Sequence, residues 1–240
     1  MSGAEDYDEF VNYASRLPET DAEVAGLARL ADGGRVLELG VGTGRVAIPL
    51  AATGLEVHGI ELDPEMIDQL QAKPGSERVT VRHGDMTEMD VDGSFDLIYA
   101  VFGTLFMLPT QADQVRCFRR AAQKLTASGR LVVEALMPRP ASYDDRGNKI
   151  TVADATDERV IINVSQTDAL AQTIDTRQVV LGPAGVQIHP VRIRYSWPSE
   201  LDLMAELAGL RLVARWRDWN GELFTAGHQR HISVYEQRVE

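Results

Sequence analysis

The chain of 240 residues has one cysteine, Cys117, so it can form no internal disulfide and no cysteine-rich metal cage. That usage fits a reducing compartment, and a cytoplasmic location is expected. Aromatic residues are scarce, at 6%. Basic residues are outnumbered, 24 against 36 acidic, which leaves a formal charge of −12. Such a surface repels a phosphate backbone, so nucleic acid is an unfavourable partner. Long apolar runs are missing too. The longest nearly apolar stretch, Leu97–Leu108, is too short to cross a bilayer as a helix, and the acidic start Met1-Ser2-Gly3-Ala4-Glu5-Asp6 has no signal core. No membrane association is expected. What remains is ordinary: 44% hydrophobic and 25% charged residues, the balance of a globular protein of one domain.

The order of apolar segments is more informative. Strand-like Arg35–Leu39, Leu55–Ile60, Val79–Arg82, Phe95–Ala100 and Arg130–Ala135 alternate with helical stretches. Those helices are expected at Thr20–Leu30, Arg45–Ala52, after Asp63-Pro64, and from about Thr110 to Leu125, with Val115, Phe118, Ala122 and Leu125 facing the core. The alternation predicts an α/β fold: a doubly wound, mostly parallel, seven-stranded Rossmann-like sheet. After Met137 the pattern changes to β-type stretches, Val160–Thr167, Leu170–Leu181 and Val186–Tyr195, joined by tight links. A helix at Ser199–Ala208 and strands Leu210–Trp216 and His231–Gln237 would finish the sheet. Residues 1–240 therefore read as one domain, with a helical lid at 1–30 and a β-rich insertion at 139–197 that would cover the site.

The chemistry-bearing segment is Glu38-Leu39-Gly40-Val41-Gly42-Thr43-Gly44, which leaves a strand and enters a helix. Glycines there permit a sharp turn and a close ligand approach, and the helix start offers free N–H groups. Glu61 ends the next strand, where a carboxylate can accept hydrogen bonds from both hydroxyls of a ribose. The third glycine comes one position too early for a dinucleotide fingerprint, and Glu38 suits a ligand that carries an amino group. Together these features point to a nucleoside-type cofactor.

The segment resembles the first cofactor motif, E/D-x-G-x-G-x-G, of the class I S-adenosylmethionine-dependent methyltransferases. Gly59-Ile60-Glu61-Leu62-Asp63-Pro64-Glu65-Met66, Gly84-Asp85-Met86, Phe95-Asp96-Leu97-Ile98 and the run Leu125–Val133 are similar to later motifs of that family, in family order. Architecture adds a looser likeness to the amino-sugar N-methyltransferases of natural-product pathways. The resemblance implies S-adenosyl-L-methionine as cofactor, held by Gly40, Gly42 and Gly44 with Glu38 nearby. It implies Glu61 and Leu62 at the ribose, and Met66, Asp85 and Met86 at the adenine. Val101 would close the cofactor site after the fourth strand. The acceptor pocket would take Tyr7, Tyr13, Phe102, Tyr195 and Trp197. The motif that base-methylating enzymes carry after the fourth strand is missing from Ala100–Thr104, and no clustered carboxylates suggest a metal.

The expected reaction is methyl transfer to a nitrogen or oxygen of a small polar metabolite by a monomer or homodimer. Glu134, His189, His228 and His231 are the candidates for a base, and none stands out. Two other classes compete. A nicotinamide oxidoreductase is disfavoured by the glycine spacing and by the lack of a Tyr-x-x-x-Lys pair; a non-catalytic cofactor-binding module would keep the loop without turnover.

Overall fold

The computed structural model describes residues 20–238 except Ala184. The N-terminal lead-in with Tyr7 and Tyr13 lies outside them. Helix α1 (Thr20–Ala31) begins with Asp21 and Glu23 and ends with Arg29, charges that match its dipole. It buries Val24, Leu27 and Ala31 against the sheet. The last third of the expected lid, 20–30, is therefore a core layer, because its apolar stripe has a sheet to cover.

Seven strands form the main sheet in the order β10-β11-β5-β4-β1-β2-β3. These are β1 (Val36–Leu39), β2 (Val57–Glu61), β3 (Val79–His83), β4 (Phe95–Ala100), β5 (Leu125–Leu136), β10 (Leu210–Trp216) and β11 (Arg230–Gln237). Strands β1 to β5 pair in parallel, and β11 runs antiparallel to both β5 and β10. Helices α2 (Ala47–Ala52), α3 (Pro64–Ala72), α4 (Gln111–Lys124) and α5 (Pro198–Leu207) complete the α/β layers. The Asp63 side chain accepts from Glu65 N at 2.9 Å, as an N-cap before Pro64 should. The core face of α4 is Gln114, Cys117, Phe118, Ala121 and Ala122. It is rotated from the expected stripe, so Val115 lies at its margin, half-buried.

The β-rich region holds one strand more than the sequence pattern suggested. Strands β6 (Asn148–Ala155), β7 (Val160–Asp168), β8 (Thr173–Gly182) and β9 (Gly185–Arg194) make a separate antiparallel sheet. Strand β6 is mostly exposed and mixes polar and apolar residues without strict alternation, which hid it from a reading of apolar runs. Leu170, expected within a strand, sits in the β7–β8 turn and is 96% exposed.

Candidate functional site

The parallel order changes direction between β1 and β4, and a crevice opens there beyond the carboxyl ends of the strands. Each of β1 to β5 delivers a functional side chain or loop to that edge. The glycine loop turns under two anchors: Gly40 N and Val41 N donate to Ile60 O at 2.8 and 3.0 Å. Gly40 has φ +68°, and a Cβ on it would lie 2.4 Å from the Thr104 methyl group. Only glycine leaves this approach open. The third glycine has another job: a Cβ on Gly44 would strike Ile48 and Leu70, so it lets the loop pack on α3.

Glu61 holds the loop from the neighbouring strand. Its Oε2 accepts from Gly42 N at 2.8 Å, and its Oε1 accepts from Leu62 N at 2.9 Å and Asp63 N at 3.0 Å. The carboxylate is thus fixed by three backbone donors at the cavity wall, with lone-pair capacity remaining. Asp85 is held similarly, its Oδ1 accepting from Thr87 N at 2.7 Å.

These groups line a cavity of about 1310 Å³. It exceeds the usual range for one small ligand, so there is space for two. Gly40, Gly42, Glu61, Leu62, Met66, Asp85 and Met86 line one end. Phe102, Met107, Leu108, Val191, Ile193 and Glu134 line the remainder. Among the described residues the charged lining is mostly acidic: Glu61, Asp63, Asp85, Glu134 and Asp113, the last paired with Arg116, lie with one basic residue, Arg230.

Glu134, at the end of β5, is 4% exposed. Its Oε2 accepts from Phe102 N at 3.0 Å, and its Oε1 lies 3.2 Å from Arg230 Nη1 without hydrogen-bond alignment. Burial, followed by the charge of Glu23, raises the Glu134 carboxyl above its usual range; the Phe102 N–H, Arg230 and Arg45 oppose this without reversing it. Phe102 itself sits at φ +56°, a costly conformation for a bulky residue, and Gly103 follows at +73°. That turn aims the 102–104 loop into the cavity.

Several expected site residues lie elsewhere. Gly44 and Val101 are absent from the lining; Val101 is 3% exposed in the core, where its side chain packs below the sheet edge. Glu38 is buried under the loop, where Tyr99 Oη donates to its Oε2 at 2.8 Å. Tyr195 is a core residue and Trp197 the N-cap of α5, the two rings meeting edge to face, so neither enters the cavity. His189 lies half-buried on β9, outside the lining. His228 Nδ1 accepts from Thr225 N in a surface turn. His231 is fully buried beside Ser233, and burial, followed by the Arg215 charge, lowers it to about 4. Of the four candidate bases only Glu134 faces the cavity. Arg230 was missed, because its place beside Glu134 depends on the pairing of β11 with β5, which no local motif encodes. Thr104 and Ile193 lie in segments expected near the site, the loop after the fourth strand and the β-rich insertion.

Among the described residues no group of His, Cys, Asp or Glu could hold a metal ion, and no helix is long and apolar enough to cross a membrane.

Residues 36–129 match the family model of a methyltransferase domain. The CcbJ methyltransferase of Streptomyces caelestis is 38% identical and superimposes with a TM-score of 0.92, covering 98% of this chain and 96% of that one. The cypemycin N-terminal methyltransferase of a Streptomyces species is 26% identical over 86% of this chain and 84% of its own length. CalS10, an amino pentose methyltransferase of Micromonospora echinaspora solved with S-adenosylmethionine bound, shares the fold at 22% identity and a TM-score of 0.71, covering 95% of each chain. With the glycine loop, the Glu61 clamp and the strand order in place, the chain belongs to the class I S-adenosylmethionine-dependent methyltransferases.

Proposed function

We propose that the protein transfers a methyl group to the nitrogen of a small polar amine, and that the crevice holds the cofactor beside this acceptor. The observation that carries the choice of nitrogen is the acidic character of the described lining: Glu134, at the acceptor end, presents a buried carboxyl oxygen without a hydrogen-bond partner, and Glu61, Asp63 and Asp85 add negative charge along the same cavity. Such a lining concentrates cations, and an amine enters water-facing sites as an ammonium ion. The name of the cypemycin N-terminal methyltransferase supports the same choice.

The residues fit the cofactor. Gly40 and Gly42 leave the loop open, Glu61 presents a fixed carboxylate for ribose hydroxyls, and Met66 and Met86 offer polarizable thioethers to a flat ring. Asp85 is the acceptor for an exocyclic amino group. Glu38 acts from beneath the loop, and Leu62, 66% exposed, covers the ribose end. When bound, S-adenosylmethionine supplies a methyl group already activated by its sulfonium. The protein then has to orient the nucleophile, exclude water and receive a proton.

Phe102, Met107, Leu108, Val191 and Ile193 exclude water from the acceptor end. The β-rich insertion contributes the last two and thereby serves as cover for the acceptor. Glu134 receives the ammonium proton at Oε1, the oxygen without a hydrogen-bond partner, and burial, which raises this carboxyl, makes it a better proton acceptor than a free one. Arg230 holds the carboxyl in place. Glu134→Gln keeps the carbonyl that caps Phe102 N but cannot take a proton. It is expected to lower kcat/KM by about 10²-fold and to flatten the acidic limb of the pH–rate profile. Affinity for S-adenosylhomocysteine should stay within twofold. The check is transfer from methyl-labelled cofactor to matched amine and alcohol acceptors. Faster transfer to the alcohols would overturn the choice of nitrogen, and undiminished amine turnover in the variant would remove Glu134 from the reaction.

A further inference from the structure

A buried ion pair lies where the glycine loop meets α1. Glu23, on the buried face of that helix, has no exposed surface. Its carboxylate accepts two bonds from Arg45, the residue after the third glycine. Nη1 donates to Oε2 at 2.6 Å, and Nη2 donates to Oε1 at 3.3 Å. Such a pair is a weak source of stability, because apolar side chains of similar volume serve a core as well. Its position gives it another use. The Arg45 guanidinium lies over the Phe102 ring, 5.8 Å from the centroid, within the range of a cation–π contact. Phe102 lines the cavity and Arg45 does not, so any effect of Arg45 on the acceptor passes through that ring.

Phe102 needs to be held. Its φ of +56° persists only where the surroundings fix it. Glu134 Oε2 accepts from its backbone N at 3.0 Å, and Arg45 meets its ring. Gly103 N also donates to Glu134 O at 3.2 Å, which fastens the turn to the end of β5.

We infer that Arg45 is a positioning residue: anchored on Glu23, it holds Phe102 in the turn that presents the Glu134 carboxyl to the acceptor. This rests on Glu134 as the proton acceptor, and it ties the cofactor loop to the acceptor end. The charges around Glu134 agree with the geometry. Burial, followed by Glu23 from α1, disfavours its ionised form; the Phe102 N–H, then Arg230 from β11 and Arg45 from the glycine loop, favour it. Burial also opposes the charge of Arg45, but the bond and charge of Glu23, then the charges of Glu38 and Glu134, keep it protonated.

A double-mutant cycle on kcat/KM for an amine acceptor tests this. Arg45→Met should lower kcat/KM by about 10- to 100-fold, the usual cost of a displaced reacting group. Affinity for S-adenosylhomocysteine should hardly change. Phe102→Leu should cost a similar amount, and adding Arg45→Met to it should cost little more, since the ring through which Arg45 acts is gone. If Arg45→Met unfolds, the pair Glu23→Gln, Arg45→Met carries the same cycle with no buried charge left alone. The pH–rate profile is the second readout. Loss of the cation in Arg45→Met should move the acidic limb to higher pH, and loss of the anion in Glu23→Gln should move it to lower pH. Additive losses in the cycle, or an equal loss of S-adenosylhomocysteine affinity, would overturn the inference. So would an acidic limb that disappears in Glu134→Gln yet stays in place in both charge variants. A limb that survives in Glu134→Gln removes the proton-accepting role instead, and the cycle alone then decides whether Arg45 acts through Phe102.

Discussion

Arg194→Ala is expected to destabilise the fold by about 3–5 kcal/mol, because it leaves buried partners of a charge without that charge. Arg194, at the end of β9, is 6% exposed. Its Nη1 donates to Gln114 Oε1 and Ser196 Oγ, both at 2.8 Å, and its Nη2 donates to Glu200 Oε1 at 2.7 Å. Burial tends to raise the Glu200 carboxyl, but the hydrogen bonds from Arg194, Gln172 and Gln111 together bring it below its usual range. Gln114 Nε2 in turn donates to Arg194 O at 2.8 Å and reaches the carbonyls of Leu105 and Leu108. One network therefore ties β9 and the 105–108 segment, both walls of the cavity, to α4 and α5. Urea denaturation should report the lost stability. The same variant should raise the acceptor KM more than it weakens S-adenosylhomocysteine binding, because the network touches the acceptor walls and leaves the glycine loop alone. A loss below about 1 kcal/mol would mean the network is not a structural latch.

Glu38 has the opposite sign in its pH dependence. Burial, against the Tyr99 hydrogen bond and aided by the Glu23 charge, pushes its carboxyl up to about 8 from 4.5. Between those values the folded chain keeps a proton that the unfolded chain has released, so stability falls as pH rises from about 4.5 to 8. The contribution is at most about 4–5 kcal/mol once that window is crossed, a large share of an ordinary folding free energy. Glu38→Gln has no ionisation to suppress and retains an acceptor for Tyr99 Oη. It is expected to unfold at higher urea than the wild type at pH 9 and at nearly the same urea at pH 5. Parallel pH curves for the two proteins would show that the buried acid does not hold its proton.

The parts of the fold that follow short-range rules were legible in the sequence. Strand β4, the Asp63-Pro64 helix start and the glycine loop each carry their own signal, in apolar runs, capping chemistry or backbone freedom. Strand β6 did not, because along its exposed length polar and apolar residues follow one another without a clean period. At the site, Gly40, Gly42, Glu61 and Asp85 belong to segments that end parallel strands, so sequence order alone brings them to one edge. Tyr195 and Trp197 were expected there for their aromatic character. Their places are set instead by the turn from β9 into α5, where core packing takes Tyr195. Arg230 reaches Glu134 through the antiparallel pairing of β11 with β5, which puts Arg230 beside Leu136 and next to the Glu134 row. That pairing joins residues almost a hundred positions apart and has no local signature.

The most direct test of the cofactor assignment is calorimetric titration of S-adenosylhomocysteine into the wild type and into Glu61→Ala. Glu61 combines loop fixing with the proposed ribose contact, so its loss removes charge-assisted hydrogen bonds at the ligand itself. The wild type should bind one equivalent, and the variant should bind about 1.5–3 kcal/mol more weakly, roughly 10- to 150-fold. A wild type that does not bind, or a folded variant with an unchanged dissociation constant, would contradict the placement of the cofactor in this crevice.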